Sequence, residues 1–159
     1  MSKINYSLIL LTLIILIPNI YAENTLIMNS KSLDVELKID QSIEVDKPTM
    51  LNVRFLEKGT NKTQIHVDYV VSIKDANNVE IFRTPLTHTN EGIVQLRYVF
   101  PTSGDYTIAI DMEGILFVPI PKESVAFHIN VIPEFPLIVL LILTIAFIPI
   151  IITKRSLRL

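Results

Sequence analysis

Between residues 33 and 131 apolar side chains recur at every second position, in short runs that fit strands and not helices. Leu33, Val35, Leu37 and Ile39 form the first run; Leu51, Val53 and Phe55 the second; Ile65, Val67, Tyr69, Val71 and Ile73 the third. Val79, Ile81 and Arg83 make a short fourth run after the turn Asp75-Ala76-Asn77-Asn78. Val94, Leu96, Tyr98 and Phe100 form the fifth, Tyr106, Ile108, Ile110 and Met112 the sixth, and Val125, Phe127, Ile129 and Val131 the seventh. Successive strand side chains point to opposite faces, so each run describes a strand with one face on a core.

Seven short strands separated by turns predict an all-β fold, an immunoglobulin-like β-sandwich. Pro101-Thr102-Ser103-Gly104-Asp105-Tyr106 resembles the tyrosine corner of such sandwiches, in which the phenol bonds backbone across a turn. Cysteine is absent, which excludes disulfides, thiolate zinc sites and thiol nucleophiles, and leaves stability to the core.

The two ends of the chain have a different character. Lys3 precedes the apolar run Leu8 to Ile17, and Ala22 is small enough for cleavage before Glu23, so residues 1–22 read as a secretory signal peptide. The alternative is an uncleaved anchor from Ile4 to Ala22. At the other end residues 137–153 are apolar apart from Thr144 and Thr153, and Lys154, Arg155 and Arg158 follow. That pattern predicts a transmembrane helix at 137–153 and a basic cytoplasmic tail at 154–159, with the domain at 23–132 outside the cell. Pro149 would kink the helix near its cytoplasmic end.

Pro133-Glu134-Phe135, followed by an apolar stretch and a basic end, resembles the archaeal PEF-type C-terminal sorting signal. The motif occupies residues 133–136, with Pro136 where the common form has Gly. The resemblance implies an archaeal cell-surface protein processed by an archaeosortase, a membrane cysteine transpeptidase that cleaves such tails. Retention of the helix as a single-pass anchor is the other fate.

Within residues 23–132 there are 10 Lys and Arg against 15 Asp and Glu. An acidic surface repels phosphate backbones, which argues against nucleic-acid binding. No paired base and nucleophile stands out: Ser103 and Ser124 have no histidine at a supporting position, and Asp105, Asp111, Glu113 and Glu123 read as solvated carboxylates, so the chain is not expected to be an enzyme.

In immunoglobulin-like order, the loops at 57–64, 85–92 and 114–121 share the membrane-distal end. The first holds the glycosylation sequon Asn61-Lys62-Thr63. The third is apolar where a loop is usually polar, and Ile115, Leu116, Phe117, Val118 and Ile120 are candidates for a tip that binds an envelope protein or glycan. The opposing reading folds Ile115, Leu116 and Val118 back onto the core. His66, His88, Asp111 and Met112 are candidates for a copper site, since imidazole with thioether or carboxylate suits that ion; the strand order puts His88 on the sheet opposite His66. His128 faces outward nearer the membrane. The expected function is that of a non-enzymatic binding or structural module of the envelope needing no cofactor, the alternative a small copper-binding or metallochaperone module.

Overall fold

The computed structural model describes residues 24–39 and 42–133. The expected signal peptide, Glu134 and Phe135 of the sorting motif, the helix at 137–153 and the basic tail lie outside them. Nine strands follow in chain order: β1 (Asn24–Asn29), β2 (Leu33–Ile39), β3 (Pro48–Glu57), β4 (Val67–Lys74), β5 (Glu80–Arg83), β6 (Thr87–Thr89), β7 (Ile93–Val99), β8 (Gly104–Ile115) and β9 (Val118–Val131). Among the described residues no helix is long and apolar enough to cross a membrane.

The strands form two antiparallel sheets. One has the order β1-β2-β3-β7; the other has the order β5-β4-β8-β9, with β6 also paired to β4. The alternating residues read from the sequence form the layer between them. Val35, Leu37, Leu51, Val53 and Phe55 of the first sheet meet Val71, Ile73, Ile108, Ile110 and Phe127 of the second, all of them buried in one core. The rings of Phe55 and Tyr69 bridge the layers, with centroids 5.5 Å apart. Burying a side chain of this size contributes about 1.5–3 kcal/mol, so a core of this extent stabilises a β-sandwich without disulfides.

Three local details depart from the simple alternation. Ile65 is exposed, because His66 has φ 53° and breaks the strand before Val67. In β5 the inward side chain is Phe82, against Tyr98, while Val79 and Ile81 are exposed; a register shift between Ile73 and Lys74 reverses the expected phase. The stretch 114–121 is not a loop: β8 and β9 continue through it as paired strands, Gly114 opposite Pro119 and Ile115 opposite Val118. Pro119 and Pro121 are tolerated because β9 is an edge strand, where a missing N–H need not break a ladder.

Tyr106 is buried, and its hydroxyl donates to the Thr102 carbonyl at 3.0 Å and lies 2.7 Å from the Thr102 hydroxyl. The phenol therefore spans the turn that opens β8.

β9 holds 14 residues and so runs about 45 Å. At one end of the sandwich are Leu26 of β1, Ile39, Ile43 and Ile132, which line a cleft of about 410 Å³ with His128. The opposite end carries the β1–β2 turn, the β3–β4 loop, the β6–β7 turn and the tip of the β8–β9 hairpin. The described chain thus enters and leaves the sandwich at the same end.

Candidate functional site

The tip opposite the ends of the described chain is built around a two-residue turn, Leu116-Phe117, with φ values of 52° and 65°. Such hairpin turns ordinarily take Asn-Gly or a similar pair, because a side chain at positive φ is strained. Leu and Phe here are held by their surroundings: the Leu116 amide donates to the His66 carbonyl at 2.7 Å, and the Phe117 ring lies 4.2 Å from the ring of His66. His66 is itself at positive φ, so three strained residues touch one another.

The five apolar residues expected at the tip divide. Ile115 and Ile120 turn inward and pack against the core, whereas Leu116, Phe117 and Val118 are 51%, 68% and 62% exposed. Of the three residues expected to fold back onto the core, Ile115 does so, and Leu116 and Val118 do not. Asn61 is exposed on the β3–β4 loop at the same end.

The Phe117 ring also covers His88, with ring centroids 5.2 Å apart. His88 sits on β6, which continues past Pro85 along the same edge of β4 that β5 occupies, placing His88 opposite Asp68. The expectation that His88 belongs to the sheet opposite His66 is thus corrected. A three-residue strand following Pro85 was enough to carry it to the edge of β4.

Asp68 Oδ1 lies 2.6 Å from His88 Nδ1, and His88 Nε2 lies 3.3 Å from His66 Nδ1. A carboxylate accepts only from a protonated nitrogen, so Asp68 fixes the proton of His88 on Nδ1 and leaves Nε2 facing His66. The three side chains form a relay along the outer edge of the second sheet, with Phe117 over its end.

Gly114 makes room for this arrangement, since a Cβ there would run into the Asp68 carboxylate. Gly92, at φ 70°, lets the β6–β7 turn pass against the β3–β4 loop, where a side chain would strike the Gln64 carbonyl.

Asp111 and Met112 do not join His66 and His88. Met112 is fully buried in the core. Asp111 accepts from Ser124 at 2.6 Å and pairs with Lys122 Nζ at 2.6 Å. Burial pushes its carboxyl up, but the hydrogen bonds from Lys122 and Ser124 outweigh it and hold the carboxyl below its ordinary value. His128 is elsewhere, outward on β9 with Nδ1 3.1 Å from the Thr107 hydroxyl. Asp68 is the member of the cluster that the sequence reading missed; it stands two positions from His66 on the outward-facing phase of β4, and that spacing was the available signal. Among the described residues no group of three or more His, Cys, Asp and Glu side chains is arranged to hold one metal ion.

No protein-family model matches the chain, and comparison with curated proteins gives no match.

Proposed function

We propose that this chain is a non-enzymatic binding module of the archaeal cell surface, carried on an immunoglobulin-like sandwich. Sheets of order β1-β2-β3-β7 and β5-β4-β8-β9 support the immunoglobulin-like assignment, because the seven strands read from the sequence divide between them in the Greek-key manner of that fold. In this reading the segment after residue 132 is a membrane helix that doubles as a PEF-type sorting signal, and an archaeosortase acts on Pro133, Glu134 and Phe135.

The observation that carries the function is the exposed, strained hairpin end at Leu116, Phe117 and Val118, on the side of the sandwich away from both described chain ends. Contiguous apolar surface at such a position supports contact with a partner, an envelope protein or a glycan. Strain concentrated in residues that serve no core supports the same reading. The test is co-sedimentation of the purified full chain with isolated envelope fragments, comparing the native protein with Phe117→Ser. Loss of co-sedimentation by a variant that stays folded, with a loss of stability of about 1 kcal/mol from the missing ring contacts, is expected; equal binding by the variant would refute the tip as the contact. Mass spectrometry of the C-terminus from native cells tests the processing separately, a terminus within residues 133–136 being expected.

The convergence of His66 and His88 supports a second reading, a small extracytoplasmic copper-binding module.

A further inference from the structure

We infer that His66 Nδ1 and His88 Nε2 form a two-histidine site for a copper or zinc ion, with Asp68 as its positioning residue. The inference deepens the second reading above and changes its ligand set: Asp111 and Met112 drop out and Asp68 enters.

The geometry begins with His88. Metal-bound histidines as a rule donate their other ring N–H to a carboxylate, which fixes the tautomer and strengthens the ligand. His88 has that posture, with Nδ1 2.6 Å from Asp68 Oδ1 and Nε2 directed away from it. The atom that Nε2 faces is another ring nitrogen, His66 Nδ1, at 3.3 Å. In a tetrahedral site with bonds of about 2.0–2.1 Å, two nitrogen ligands lie about 3.3–3.4 Å apart. The separation across this pair is therefore already that of two ligands of one ion.

Without metal, one proton lies between the two nitrogens. To ligate, His66 moves its single proton to Nε2, while His88 keeps its own on Nδ1 against Asp68. Both rings stay neutral and the ion takes the place of the shared proton. The ring centroids are 5.6 Å apart, more than the nitrogens by the depth of the two rings, so the imidazoles meet edge to edge. A modest tilt of each ring turns both lone pairs toward one point.

Nitrogen ligands favour copper and zinc over calcium and magnesium. Two protein ligands leave coordination positions open to water or to a donor from outside. Phe117 lies over both rings, so an ion entering here is sheltered on one side by the same side chain that forms the exposed tip.

The experiment is calorimetric titration of the full chain, in a mild detergent, with Cu(II), Zn(II), Ca(II) and Mg(II). One saturable site for Cu(II) or Zn(II), with no heat from Ca(II) or Mg(II), is expected. His66→Asn, chosen because Asn tolerates positive φ, and His88→Gln should each abolish the site. Asp68→Asn should weaken it by about 10–100-fold, and His128→Ala should leave it intact. Nitrogen-15 shifts of the two imidazoles report the same event without calorimetry, through the move of the His66 proton to Nε2. No saturable uptake, or uptake that survives both histidine substitutions in chains whose NMR spectra show them folded, overturns the site. Because no partner is involved, failure here leaves envelope binding by Phe117 untouched, and loss of envelope binding says nothing against the metal.

Discussion

Asp68 holds its place beside His88 because residue 114 has no side chain: its Oδ1 sits 2.6 Å from His88 Nδ1, while its Oδ2 fills the space that a Cβ on Gly114 would enter. Gly114 lies across from Asp68 on β8 and is not at positive φ, so its role is clearance and not backbone freedom. Gly114→Ala is therefore expected to swing the carboxylate off His88 while the fold survives, at about 1 kcal/mol in stability. Imidazole nitrogen-15 shifts should show His88 losing its fixed tautomer; an unchanged tautomer would mean that Asp68 is not what holds it.

The Leu116-Phe117 turn should be easy to stabilise and costly to change. Replacing the pair by Asn-Gly supplies residues suited to φ 52° and 65° and removes strain of about 1–3 kcal/mol. Against this stands the lost ring contact with His66 and His88, so the net gain is about 1 kcal/mol, or a rise in Tm of roughly 5 °C. The same variant should lose envelope binding. A fall in Tm would show that Phe117 contributes more by packing than the turn loses by strain.

Tyr106→Phe removes the phenol that donates to the Thr102 carbonyl and keeps the ring in the core. The expected loss is about 1 kcal/mol, with the Thr102 groups left partly unpaired. Phe127→Ala, by contrast, opens a cavity in the layer between the sheets and should cost about 3–5 kcal/mol. Denaturant unfolding of both variants checks the ratio; equal losses would argue against the corner as a minor, local clasp.

Thr49 is buried in β3 with a hydroxyl that has no hydrogen-bond partner among the described residues. Thr49→Val keeps the shape and removes the unpaired group, so a gain of about 1 kcal/mol is expected in the same unfolding measurement. A loss would reveal a partner for the hydroxyl, such as a bound water.

Among the described residues, the carboxyls of Asp34, Asp111 and Glu123 are held below their ordinary values. Asp34 is lowered by the Lys58 hydrogen bond and then by the Gly59 amide. For Glu123 burial acts upward but is outweighed by the Ser32 hydroxyl and amide, and Asp111 is lowered as described. A carboxyl whose folded value is depressed contributes stability that is present above its unfolded value, about pH 4, and lost as pH falls through the folded value. Unfolding midpoints should thus be level near neutrality and drop below about pH 4. Glu123→Gln, which keeps the shape while removing the charge that joins β9 to Ser32, should flatten that drop; an unaltered slope would remove Glu123 from the acid response.

The central strands were legible because their inward residues, from Leu33 to Val131, are regularly spaced and, Thr49 apart, apolar. What alternation cannot register is an edge. β1 contains Leu26, Ile27 and Met28 in succession, each partly exposed, and a run without a period gives no strand signal. β6 is too short to show one, and its pairing with β4 is what brings His88 to Asp68. Gly114, Pro119 and Pro121 made a continuing hairpin look like a loop. The site was half visible for the same reason: His66 and Phe117 stood out as residue types, while their contact depends on backbone torsions that spacing does not encode.

Ile132 is tied down on both sides, its amide donating to the Ile43 carbonyl at 2.9 Å and its carbonyl accepting from the Val45 amide at 3.2 Å. There is consequently no slack between the sandwich and Pro133. A transpeptidase that must lay residues 133–136 extended in its cleft would first have to peel Ile132 away, at about 1–3 kcal/mol for two backbone bonds. Under the proposed processing, fraying at the base of the domain sets the pace of that step, and inserting a few glycines after Ile132 should speed it without altering residues 133–136.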